Sequence, residues 1–365
     1  MSEAIPTAQT TPPAPPHDAA GPAAPAPGYR SPLLERPGAV EGEGIDAGVA
    51  AHLGDPVREQ RLLAEGLAVV DLSHHGVVTV TGPDRLTWLH SLTSQLLTGL
   101  PPRTSAESLV LSPKGHVEHD LHLVDDGETA WVVTEPGTAP ALVAWLDRMR
   151  FMLRVEVADV TDRWAVLGEP CAAESAPGED LAWRDPWPGL VGDTAAYGPA
   201  SEEHPARGRA WREVILPRAE FASRVGDRPL AGTWAAEALR VEAWRPRLGL
   251  ETDHRTIAHE VDWLRTAVHL HKGCYRGQET IARVHNLGRP PRRLVFLHLD
   301  GSGHVLPDQG APVRLGEKEI GRLTTVARHH ELGPIALAVV KRNADPEAVL
   351  DAGGVSATQE VVVAP

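Results

Sequence analysis

Cysteine is almost missing from this chain: Cys171 and Cys274 are the two in 365 residues. That excludes a disulfide framework, a C-x-x-C metal site and a four-thiolate iron–sulfur cluster built by the chain alone. It also suits a reducing cytoplasm. Long apolar runs are absent as well; none approaches the ~20 residues of a membrane span, so no membrane is expected as a partner. Positive charge is short, with 35 Lys and Arg against 49 Asp and Glu and a net charge of −14. Such a chain is not expected to bind nucleic acid directly. Histidines are plentiful but badly spaced for a metal. His74-His75, His269-x-His271 and His329-His330 are adjacent or alternating, and no His-x-x-x-His with an added acid occurs. No metal site of the chain's own is expected from that spacing.

What is present divides the chain. Ten prolines fall in the first 37 residues, mixed with alanine and glycine. Residues 1–48 therefore read as a disordered Pro/Ala-rich tail. Gly42-Glu43-Gly44-Ile45-Asp46-Ala47-Gly48 has the wrong spacing for a dinucleotide fingerprint, and no strand precedes it. Residues 49–292 read as two α+β lobes. Strands are expected at Leu67–Leu72 and Gly76–Gly82. A helix opens at Gly82-Pro83-Asp84, and a hairpin turns at Pro113-Lys114-Gly115-His116. Another strand at Ala130–Thr134 and a helix at Pro140–Arg150 complete a split, ferredoxin-like unit. Residues 172–209, rich in Pro, Gly and acid, read as a long surface excursion. From 293 to 365, short strands punctuated by glycine suggest a small β-barrel.

One stretch carries chemistry: His271-Lys272-Gly273-Cys274-Tyr275-Arg276-Gly277-Gln278-Glu279. Its thiol sits among Lys272 and Arg276, just before an expected helix, where positive charge and the helix dipole favour a thiolate. Gly273 and Gly277 permit tight turns. Tyr275 either stacks on a ligand or buries its ring. Gln278 and Glu279 either bond a ligand or serve the first helical turn. A structural turn around an inert cysteine is the competing reading.

Lys272-Gly273-Cys274-Tyr275-x-Gly277-Gln278-Glu279 resembles the signature of the YgfZ family of folate-binding proteins, related in fold to the glycine-cleavage aminomethyltransferase (T-protein). The resemblance runs over roughly residues 60–342. It takes in Gly82-Pro83-Asp84 with Trp88–Thr93, the Pro113–His116 turn, and Glu319–Thr325 with Ile335–Ala338. It implies a T-protein-like three-lobed ring with ferredoxin-like units and a small C-terminal β-barrel. It further implies a central pocket for tetrahydrofolate or a derivative, and iron–sulfur assembly or client proteins as partners. Under it Cys274 and Lys272 are the candidate catalytic pair, and Lys114, Asp120 and Arg283 the candidate cofactor contacts. Arg289, Arg292 and Arg293 are further candidate cations for an acidic folate tail.

The chain departs from the aminomethyltransferase pattern. Its first hairpin carries His119-Asp120 in place of two aspartates. No Gly-Tyr-Thr-Gly-Glu segment appears near Trp211-Arg212-Glu213, and the first helix ends Thr93-Ser94-Gln95 without an acid. These differences favour an accessory factor for iron–sulfur cluster assembly or repair. A tetrahydrofolate-dependent aminomethyl or one-carbon transferase is the alternative if the protein is an enzyme, and a redox-sensing thiol protein the second alternative.

Overall fold

The computed structural model describes residues 29–171 and 180–365. The described residues form three units. The first is an antiparallel sheet ordered Ser105–Leu111, Val117–Asp125, Thr129–Thr134, Gly76–Thr81, Glu156–Asp159. Its strands alternate apolar residues toward two helices, Arg85–Leu92 and Ala139–Met149. Trp88, Leu89, Leu142 and Leu146 are buried there against Val78, Val80, Leu121 and Val132. The hairpin around Pro113–His116 is present as expected, pairing Ser105–Leu111 with Val117–Asp125.

The second unit is a sheet ordered Leu181–Arg184, Arg212–Pro217, Trp164–Glu169, Val69–Asp71, Leu230–Ala231, antiparallel apart from its last pair. The two strands expected at 67–72 and 76–82 form as Val69–Asp71 and Gly76–Thr81 and enter different sheets. Ser73, His74 and His75 form the buried crossing between them. The third unit is a closed barrel of Arg292–Leu299, Gly333–Lys341, Lys318–His329, Pro312–Leu315, Leu350–Ala352 and Val355–Val361. Val355–Val361 closes it by pairing with Arg292–Leu299. Among the described residues no helix is long and apolar enough to cross a membrane.

Two expectations are corrected. Of the tail expected through residue 48, residues 1–28 lie outside the described residues, but 29–48 are packed. Ser31, Leu33 and Leu34 are buried, Val40–Glu41 pairs with Ala50–His52, and Asp46 bonds Arg247 at 2.8 Å. These few apolar and ionic anchors hold a segment whose proline content pointed to disorder. Of the expected surface excursion, 172–179 lie outside the described residues, while Leu181–Arg184 is an edge strand. Trp183 and Trp187 are fully buried, the latter donating to the Ala243 carbonyl at 2.8 Å. Burial of two indoles outweighs the polar composition around them.

Candidate functional site

A cavity of about 520 Å³ lies between the two sheets and the helix Thr233–Glu242. Its walls bring together residues far apart in sequence. Asp120 and His122 come from the hairpin strand, Trp183, Asp185 and Glu213 from the second sheet, Trp211 from just before the strand Arg212–Pro217, and Arg245 and Arg247 from the turn after the helix.

The polar wall is organised around His122. Its Nδ1 lies 2.8 Å from Glu213 Oε2 and its Nε2 3.3 Å from Asp120 Oδ2. Its ring stacks on Trp183 at 3.7 Å, nearly parallel. Burial disfavours a charged imidazole, but Glu213 and Asp120 outweigh it and raise the His122 pKa well above its ordinary value. One layer deeper, Glu107 accepts from Arg245 at 2.6 Å and from the Trp263 indole at 2.8 Å. Burial pushes its carboxyl upward, with Arg245 opposing. Burial also works on Asp185, yet Arg245 and Arg209 hold it below the usual carboxylate range. Two buried oxygens, Asp120 Oδ1 and Glu107 Oε2, have no hydrogen-bond partner among the described residues. Buried carboxylate oxygens left so are costly, and mark where a donor or cation belongs. Opposite them Arg247 bonds Asp46, Glu135 and Glu237 at 2.8, 3.0 and 3.2 Å. Burial nevertheless pushes Glu135 up to about 7.

Of the candidate catalytic, loop and cofactor-binding residues named from the sequence, Asp120 alone lines this cavity; none of 272–279 does. The Cys274 loop sits against the hairpin turn instead. Cys274 is exposed. Lys272 Nζ donates to the carbonyls of His90, Thr93 and Gln95 at the end of the helix Arg85–Leu92, and lies 4.8 Å from the Tyr275 ring. Burial lowers its pKa to about 8. Gln278 Oε1 accepts from the Tyr275 N–H at 3.1 Å, Arg276 pairs with Glu118 at 3.1 Å, and Glu279 stands in the first turn of the helix Gln278–Leu287. Gly273 has open space where a side chain would project. Lys114 and Arg283 are exposed outside the cavity; the Lys114 carbonyl accepts from Thr280. Arg292 is held by Asp253 and Glu260, and Arg293 by backbone carbonyls of the barrel.

The loop's second glycine has a steric reason. Gly277 has φ +82°, and a Cβ there would lie 2.5 Å from the Ser112 carbonyl oxygen. Gly277→Ala is expected to cost at least the ~1–2 kcal/mol of a left-handed non-glycine residue, with the backbone clash added. Chemical denaturation checks this; a loss below ~0.5 kcal/mol would show that the hairpin turn shifts away freely.

The fold, two such sheets with a small closed barrel, is of the glycine-cleavage T-protein type. Residues 53–168 match the family model of the GCVT N-terminal domain. The crystal structure of glycine cleavage system aminomethyltransferase T from Bartonella henselae has the same fold. It aligns with a TM-score of 0.68 at 19% identity, over 90% of this chain and 94% of that one. The chain is 30% identical over 338 residues to an aminomethyltransferase of Rubrobacter xylanophilus, spanning 85% of this chain and 87% of the relative. It is 29% identical over 312 residues to that of Moorella thermoacetica, spanning 78% and 81%. A putative chloroplastic transferase of Arabidopsis thaliana is 24% identical over 308 residues, spanning 76% and 66%. The chain belongs to the aminomethyltransferase family.

Proposed function

We propose that the protein binds a reduced folate in the central cavity and acts on iron–sulfur proteins, as an assembly or repair factor, through the exposed Cys274 thiol. The observation that carries this reading is the separation of the two features. The thiol is exposed on a loop that contributes nothing to the cavity wall, so its chemistry is directed at something outside. The partner class rests on the resemblance of the Lys272–Glu279 loop to the YgfZ signature.

The cavity suits tetrahydrofolate. Its volume falls within the ~300–1,000 Å³ of small-molecule sites. Trp183, Trp211, Leu72 and Leu239 offer apolar walls for a flat ring. Asp120, in the cavity wall, is a carboxylate acceptor for the N–H groups of a pterin edge. Arg207, exposed at the rim and bonded to the Glu202 carbonyl, is a cation for the glutamate tail.

Calorimetric titration of tetrahydrofolate into the wild type, Asp120→Asn and Cys274→Ala tests the folate arm. Wild type and Cys274→Ala are expected to bind equally. Asp120→Asn is expected to bind ~10–100-fold more weakly, the worth of one hydrogen bond to a charged group. No binding to the wild type would sink this arm. The thiol arm fails if Cys274→Ala leaves cellular iron–sulfur enzymes fully active under oxidative stress. A second reading, aminomethyl or one-carbon transfer, is favoured by the carboxylate of Asp120 at the cavity wall. Formation of methylenetetrahydrofolate from one-carbon donors would establish it.

A further inference from the structure

We propose that Glu107, Asp120 and His122 form a binding site for one first-row divalent cation at the deep wall of the central cavity. One donor atom from each lies within 4.8 Å of the other two. His122 Nε2 and Asp120 Oδ2 are already 3.3 Å apart. Ligand atoms ~2.0–2.1 Å from a tetrahedral ion stand ~3.3–3.4 Å from one another, so this edge has the spacing the ion requires.

Three further observations point to a cation. Glu107 and Asp120 are both buried, and each carries one buried oxygen, Oε2 and Oδ1 respectively, without a hydrogen-bond partner among the described residues. An ion between them would satisfy both oxygens. The other ring nitrogen of His122 faces Glu213 at 2.8 Å. A carboxylate behind the imidazole fixes the tautomer and raises its basicity, the usual outer support of a metal-bound histidine. The charges agree as well. Glu107, Asp120, Asp185 and Glu213 face the two guanidiniums of Arg209 and Arg245. The cluster is therefore short of two positive charges. A proton on His122 supplies one of them; a divalent cation supplies both.

One imidazole nitrogen with two carboxylate oxygens favours an ion such as Zn2+ or Co2+ over the oxygen-seeking Mg2+ and Ca2+. Asp120 and His122 also line the cavity, and Glu107 lies behind them. The site does not depend on the folate reading, and its test contains no folate.

The full chain is stripped with a chelator and titrated with Zn2+ by calorimetry, then loaded with Co2+ for visible and X-ray absorption. Saturable binding of about one equivalent is expected. The Co2+ spectrum should be that of a low-coordinate site whose first shell holds nitrogen and oxygen only. His122→Gln should abolish this binding, and Glu213→Gln should weaken it ~10–100-fold by removing the outer support. Because Glu107 also holds Arg245, Glu107→Gln is read only if circular dichroism shows it folded, and His122→Gln carries the decision. Absence of saturable binding, a sulfur scatterer in the first shell, or undiminished affinity in folded His122→Gln each overturns the proposal.

Discussion

Glu251→Ala is expected to lower stability by about 3–5 kcal/mol, the range for removing one partner of a buried ion pair. Glu251 is fully buried just after the turn Arg245–Leu250 and accepts four hydrogen bonds. Arg240 donates at 2.8 Å and the Arg247 backbone at 2.9 Å. Thr324 and Thr325, from the barrel strand Lys318–His329, donate at 2.8 and 2.6 Å. One carboxylate thus ties the cavity wall, through Arg240, to the barrel. Alanine leaves the buried Arg240 guanidinium, the Thr325 hydroxyl and the Arg247 backbone N–H short of an acceptor, while Thr324 keeps the Leu337 carbonyl at 3.0 Å. Arg240 keeps Glu237 at 2.8 Å, so the loss falls at the junction with the barrel, not across the cavity. Urea denaturation of the full chain measures the effect. A loss under ~1 kcal/mol would mean that Thr325, Arg240 and the Arg247 N–H find water or other acceptors, and that the junction tolerates rearrangement.

That junction also shows where sequence patterns stop being informative. The barrel was legible because short apolar strands alternate with glycines at 301, 310, 316, 321 and 333. Its last two strands, Leu350–Ala352 and Val355–Val361, were not. They are short, and Gly353-Gly354 between them reads equally as a loop. The first hairpin and its two helices were legible from local period and turn residues. The assignment of Val69–Asp71 and Gly76–Thr81 to separate sheets was not, because both are apolar runs and period says nothing about which sheet a strand joins. The cavity is the extreme case. Asp120 was reachable through its hairpin. His122, Glu213, Trp183 and Arg245 meet only because two sheets and a helix turn converge, over separations as long as 138 residues between Glu107 and Arg245. Alternation along Val117–Asp125 does place Asp120 and His122 on one face, and that was the available local signal. Lys272 looked like a modifier of the Cys274 thiol by adjacency. In the fold its ammonium reaches back to carbonyls ending the helix Arg85–Leu92, which no spacing rule foreshadows.

His259→Leu is expected to flatten the acid limb of stability by about 3 kcal/mol between pH 6.5 and 4. His259 is fully buried, and neither ring nitrogen has a hydrogen-bond partner among the described residues. Its ring meets Tyr197 edge-on at 5.1 Å. Burial, with His285 adding to it, depresses its pKa to about 4. The folded pKa lies below the unfolded value near 6.5, so the unfolded chain takes up a proton first as pH falls. The stability this group contributes is complete above pH 6.5 and is lost down to about pH 4. Leucine cannot take up that proton. At pH 7.5 the neutral ring and leucine differ mainly in packing, so the variant should lie within ~1.5 kcal/mol of the wild type there. Comparing the two proteins is essential, because Glu135 and Asp262, pushed up to about 7 and about 6 by burial, gain stability as pH falls over part of the same window. The wild-type profile alone mixes these opposing signs, and subtracting the variant's isolates His259. Identical acid limbs in the two proteins would mean that the ring is already charged in the folded state, with its proton shared by a group that the buried geometry does not supply.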